Sequence, residues 1–222
     1  TTWSRGLGDV YKRQALSCIV FNSISAIPVH NANKNVSWRN FTKLLFGICL
    51  GGVIGAFISV NAEKELFKNI FAFFILLVSL RMFFKIKDRA TSNDISPFIT
   101  VPFGSFVGTV STTFAIGGGI FIGPFLRLMG ETMKKAVGTS VACTLPVGFV
   151  GAITYIYLGY NIEGLPDYSF GYVNYLSLFF IIIFSSFSSR FGAWLTQRVN
   201  ERIFQTLYAL QLVPIFIYWV LA

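Results

Sequence analysis

The chain has 222 residues, of which 54% are hydrophobic and only 12% charged, with a mean hydropathy of +0.66. Soluble domains carry roughly 25% charged residues, so this balance excludes an ordinary water-soluble fold and describes an all-α polytopic integral membrane protein. The formal net charge of +9 belongs with cytoplasmic loops rather than with nucleic acid, because no basic patch with interleaved aromatics accompanies it.

The first stretch, SRGLGDVYKRQ (Ser4 to Gln14), sets cations on both sides of a short Gly-Leu-Gly-Asp-Val core and lacks the apolar run of a signal peptide. Read back through the codon table, it matches the end of a transposase-type sequencing adapter in one open frame. Residues 1–14 are therefore set aside as a non-native leader, and the natural protein is expected to start before Ala15.

A spanning helix needs about 20 mainly apolar residues. Segments 15–29, 40–60, 66–86, 98–129, 135–158, 172–190 and 203–222 qualify or nearly do. His30, the sole histidine, falls at a segment end beside Asn31 and Asn33 and reads as a loop residue rather than a ligand or proton relay. Cys18, Cys49 and Cys143 sit inside apolar segments without C-x-x-C spacing, as small buried hydrophobes do, so neither a metal site nor a cofactor is expected.

Segment 98–129 is too long for one crossing: as a single helix it would run about 48 Å against a hydrocarbon core of about 30 Å. It also contains AIGGGIFIGPF, Ala115 to Phe125, whose glycine run and proline disfavour a continuous rod and predict a broken helix or a re-entrant hairpin. Loop charge agrees. Lys34, Arg39 and Lys43, then Lys85, Lys87 and Arg89, then Arg127, Lys134 and Lys135, and finally Arg190, Arg198 and Arg202 mark cytoplasmic ends, while Glu163 and Asp167 lie in an acidic loop flanked by tyrosines. The signs alternate only if both ends of 98–129 face the same side.

The chain also repeats itself. GAFISVNAEKELFKNIFA from Gly55 aligns without gaps on GAWLTQRVNERIFQTLYA from Gly192. Upstream the register shifts, pairing Ala26 with Ala152 and Gln14 with Ser140, so the first counterpart of Phe98 to Ser140 would precede the junction. Residues 15–86 then form a partial first repeat of three helices, 87–97 a cytoplasmic linker and 98–222 a second repeat, inverted relative to the first.

Phe114 to Ser140, FAIGGGIFIGPFLRLMGETMKKAVGTS, resembles the TauE/SafE sulfite-exporter family of membrane permeases, whose halves each carry G-x-G-G-G-x-x-x-x-P followed by A-x-G-T-S. Gly117, Gly118, Gly119 and Pro124 match the first motif, with Ala115 where the family often has its leading glycine. Ala136, Gly138, Thr139 and Ser140 match the second. The resemblance spans 15–222 and implies a multi-pass protein of the bacterial inner membrane, moving small anions such as sulfite, sulfonates or carboxylates, with a homo-oligomer as a possible assembly.

An anion suits such a motif. Backbone N–H groups at a glycine break and the positive end of a half-helix hold negative charge without a buried cation. Gly117, Gly118, Gly119 and Pro124 are thus candidate substrate-binding positions, with hydroxyls from Thr139 and Ser140, and from Ser111, Thr112 and Thr113 on the approach side. Asn22 and Ser23 are candidates from the first segment. The alternative is a passive channel or scaffold in which the glycines serve helix packing and the hydroxyls bond to their own helices. No Asp or Glu falls within a segment interior, and no Ser-His-Asp or Cys-His set exists, so neither a carboxylate relay nor an intramembrane enzyme is expected.

Overall fold

The computed structural model describes residues 2–61, 96–160 and 167–200, with residues 203, 206, 207, 210 and 214 beyond them; the side chains of residues 2–13, 60 and 61 are not described. The expected segment 66–86, nearly all of 203–222 and the later part of each aligned stretch, 62–72 and most of 201–209, fall outside the described residues.

Six helices and one small hairpin make up what is described: α1 (Thr2–Ala32), α2 (Trp38–Asn61), α3 (Pro97–Phe114), α4 (Gly119–Leu128), α5 (Met133–Gly159), β1 (Ser169–Phe170), β2 (Val173–Asn174) and α6 (Tyr175–Arg198). Gln14–Ala32, Trp38–Ser59, Met133–Gly159 and Tyr175–Arg198 are long and apolar enough to cross a membrane. The protein is an all-α polytopic membrane protein, and α6 shows the lipid-facing pattern most openly: Phe179, Phe180, Ile183, Phe184 and Phe187 are all exposed.

The long segment 98–129 is two helices. Ser96 caps α3, its hydroxyl accepting from the Phe98 amide, and Pro97 at the first turn sacrifices no hydrogen bond. α3 ends where Ala115 turns left-handed at φ 54°, its amide donating to the Thr112 carbonyl at 3.2 Å while Ile116 N donates to the Ser111 carbonyl at 2.8 Å. That conformation suits glycine, the residue the family often carries there. Phe103 stacks on Phe125 at 3.9 Å and Phe106 meets Phe121 edge-on at 6.1 Å, so α4 doubles back along α3.

α3 lies against α2 along a seam of glycines. A Cβ at Gly47, Gly51 or Gly55 would meet backbone at Val101, Ser105 and Thr109, and one at Gly108 would sit 2.8 Å from Gly52 N. Small residues on both helices therefore bring the backbones together, which is how helices associate where no hydrophobic force separates helix from lipid. Thr113 Oγ1 crosses this seam, donating to the Gly55 carbonyl at 3.1 Å, and Tyr155 Oη of α5 donates to the Thr112 carbonyl at 2.9 Å.

The cation-rich connections gather at one end. Asn40 donates to Glu131 at 2.8 Å, Lys134 Nζ to the Gln197 carbonyl at 2.8 Å and Arg127 Nη1 to the Glu131 carbonyl at 3.1 Å. The β1–β2 hairpin occupies the other end with Tyr168, Tyr172 and Tyr175. Sequence reasoning missed this hairpin and ran the next helix from 172; Asn174 instead closes the turn, its side chain accepting from Ser177 N at the start of α6.

Candidate functional site

Three helices line an open pocket of about 290 Å³ formed by Ile19, Asn22, Ser23, Ala26 and His30 of α1, Val137, Val141 and Thr144 of α5, and Ser189, Gly192, Ala193 and Thr196 of α6. Each helix contributes positions three or four residues apart, one stripe of its surface. The lining holds a carboxamide, hydroxyls and one imidazole, and no Asp, Glu, Lys or Arg. Asn22 Oδ1 is buried without a hydrogen-bond partner, while its backbone carbonyl accepts from Ser189 Oγ at 3.1 Å. A larger recess lies beside Ile153, Ile156, Tyr157, Leu158 and Tyr160, at the hairpin end of α5.

The helix break borders this pocket. A Cβ at Gly117 would lie 3.1 Å from Thr144 Cγ2 and 3.8 Å from Ile19 Cδ1, both lining residues, and one at Gly119 would lie 3.7 Å from both Ser140 Oγ and Thr144 Oγ1. Gly118 faces elsewhere, against Val107, Ile122 and Val147 at 3.1–3.4 Å. As N-cap of α4 it offers no side chain to the helix end.

The sequence candidates thus divide. Asn22 and Ser23 line the pocket, Gly117 and Gly119 border it, and Ser140 faces Gly119 while its hydroxyl donates to the Val137 carbonyl at 2.8 Å. Gly118 and Pro124 are buried in the packing of α4. Thr139 is fully buried, and its Oγ1 accepts from Ser37 N at 2.8 Å, while a Cβ at neighbouring Gly138 would collide with the Asn35 backbone. The Gly-Thr pair of the second motif therefore clamps the α1–α2 connection onto α5. Ser111 and Thr112 are buried with unpartnered hydroxyls, and Thr112 lies beside Gly52 and Gly151, in the α2–α3–α5 interior rather than at the pocket.

The chain matches the model of the sulfite exporter TauE/SafE family over residues 14–218. The chain belongs to that family. It is 29% identical to a probable membrane transporter protein of Haemophilus influenzae over 202 residues, 90% of this chain and 76% of the relative. It is also 29% identical to one from Methanocaldococcus jannaschii, over 85% of this chain and 70% of the relative, and 22% identical to one from Bacillus subtilis, over 85% and 72%. No solved structure matches the chain. The protein is therefore a membrane transporter of this family.

His30 was expected in a loop; it lies in the last turn of α1, 2% exposed, and lines the pocket. Thr144, Ser189 and Thr196 were missed as well. Their signal was in the sequence: Thr144 follows Ser140 by one helical turn, and Ser189, Gly192, Ala193 and Thr196 form a stripe of small and hydroxyl residues on an otherwise bulky helix.

Proposed function

We propose that the protein is a permease for small anions of the sulfite, sulfonate or carboxylate type in the bacterial inner membrane, with its cation-rich end in the cytoplasm and its substrate held in the α1–α5–α6 pocket beside the helix break. The observation that carries this reading is the pocket's lining. Its surface is mostly apolar, with Asn22, Ser23, Thr144, Ser189, Thr196 and His30 as its polar groups; among the described residues it has no carboxylate to repel an anion, and it adjoins the N-terminal end of α4, whose dipole favours negative charge. Asn22 and Ser23 supply side-chain hydrogen bonds, Thr144, whose hydroxyl donates to the Ser140 carbonyl at 2.7 Å, shapes the wall, and Gly117 and Gly119 keep the break free of side chains. A volume of about 290 Å³ suits an oxyanion with part of its water, each water occupying about 30 Å³.

The passive packing alternative has in its favour Gly118, whose surroundings explain a glycine without a ligand, and the hydroxyls of Ser140, Thr144 and Thr196, which donate to carbonyls of their own helices. Gly192 separates the two readings, because it lines the pocket and no atom lies within 4 Å of its Cβ position. In proteoliposomes, Gly192→Leu is expected to cut uptake of labelled sulfite and methanesulfonate about tenfold, equivalent to about 1.4 kcal/mol, while leaving the yield of monodisperse protein at the parental value. Parental uptake by this filled-pocket variant would refute the site.

A further inference from the structure

His30 is buried at the end of the pocket where the cation-rich connections gather, and its surroundings fix its protonation chemistry. Gln197, in the last turn of α6, accepts through Oε1 from Asn35 Nδ2 and so presents its NH₂ group elsewhere. That group lies 3.2 Å from the Ala193 carbonyl, from Thr196 Oγ1 and from His30 Nδ1. A carboxamide NH₂ only donates, so Nδ1 is the acceptor, and the neutral ring carries its proton on Nε2. The strap Asn35–Gln197–His30 joins the α1–α2 connection, α6 and α1 across one mouth of the pocket.

The charged groups around it are few. From α5, Lys134 donates to the Gln197 carbonyl at 2.8 Å; from α6, Arg198 stacks over Trp194 at 4.0 Å, and Arg190 is exposed; from the α1–α2 connection, Lys34 is exposed. β2, which also packs on α1, contributes Val173 and Asn174. Among the described residues no carboxylate lines the pocket, and Glu131 at the same end is engaged by Asn40.

Resting on the anion reading above, we infer that His30 is the proton carrier that couples anion movement to the proton gradient. An anion entering this lining meets no fixed cation, and an unpaired charge in such surroundings is costly. Proton uptake by His30 makes the pair neutral overall. The balance is one proton from the aqueous side to Nδ1 per anion bound, with Nε2–H remaining a donor and no covalent bond formed or broken elsewhere. The second ring proton has a structural consequence: Nδ1–H and the Gln197 NH₂ are both donors, so their hydrogen bond breaks and Gln197 lets go of α1. Loading the pocket with both ions therefore releases the strap at its mouth, and unloading them restores it.

The test uses the single histidine of the chain. With ¹⁵N-histidine in nanodiscs, the imidazole signal is followed from about pH 5.5 to about pH 8, with and without methanesulfonate, whose own charge is constant over that range. Bound anion is measured in parallel by equilibrium dialysis. Saturating anion is expected to convert the signal at about pH 7 from the neutral to the doubly protonated pattern, and by reciprocity the affinity falls about tenfold per pH unit once the free imidazole is neutral. In His30→Gln the affinity should vary less than about twofold over the same range, a flattening that loss of a merely structural contact would not produce. Anion binding with an unmoved imidazole signal, or an equally steep pH dependence in His30→Gln, overturns the coupling and leaves the anion site standing. No methanesulfonate binding at any pH overturns the anion reading and the coupling with it.

Discussion

Gly51→Ala tests whether the glycine seam sets the separation of α2 and α3. The new Cβ would stand 2.8 Å from both Ser105 C and Thr109 N, with the Ser105 carbonyl oxygen nearer still, and all are backbone atoms with no rotamer to change. The Ser105 carbonyl oxygen, as the nearest atom, sets the displacement, so the helices must part locally by roughly 1 Å, a gap that forfeits about half of the contact energy of the atoms along it. Overpacking of this kind costs about 1–3 kcal/mol, and the exchange of glycine for alanine in a helix returns about 1 kcal/mol. A rigid backbone neighbour puts the cost in the upper part of that range, leaving a net loss of about 1–2 kcal/mol, or a melting temperature lower by about 2–8 °C for a chain of this size. Gly192→Ala is the matched control, since its Cβ meets nothing within 4 Å and keeps only the gain in helix propensity. Thermal unfolding of both variants in the same detergent, followed by size exclusion, should show Gly51→Ala melting below the parent and Gly192→Ala at or above it. If Gly51→Ala melts with the parent, the close approach of α2 and α3 is not what these glycines provide.

Thr139→Val removes the acceptor of Ser37 N and should lower stability by about 1–2 kcal/mol in the same melt, while anion affinity by equilibrium dialysis changes less than about twofold; a large loss of affinity at parental stability would return Thr139 to the binding site. Gln14 is 2% exposed and both of its amide atoms lack partners. Gln14→Leu removes that burden and should raise stability by about 1–3 kcal/mol, and a lower melting temperature would mean that the amide is satisfied in the membrane.

The fold was legible where it depended on segment length and charge. Composition gave an all-α membrane protein, and the excess length of 98–129 with its Gly-Gly-Gly foretold the interruption between Phe114 and Gly119. Which of these residues faced which neighbour was not legible, because periodicity around a break is lost: the residues from Ala115 to Gly118 leave the helical register, so Gly118 faces away from the surroundings that Gly117 and Gly119 share at Thr144. Gly117 looks toward Thr144 and Ile19, Gly118 into the hydrophobic core and Gly119 toward hydroxyls. A motif written as one unit thus has positions with separate jobs.

The second motif carries the same lesson into function. Thr139 is a candidate hydroxyl donor in the sequence; in the structure its Oγ1 accepts from Ser37 N, while neighbouring Gly138 admits the Asn35 backbone. Asn35 also donates to Gln197, whose NH₂ group lies 3.2 Å from His30 Nδ1. The clamp on α5 therefore reaches the pocket indirectly. Sequence reasoning placed His30 in a loop because its neighbours are asparagines; those asparagines instead serve the helix end, Asn33 donating to the Val29 carbonyl at 2.7 Å and Asn31 accepting from Trp38 Nε1 at 2.9 Å. With its last turn capped in this way, α1 continues past His30 to Ala32, and the imidazole is carried into the bundle rather than out to water.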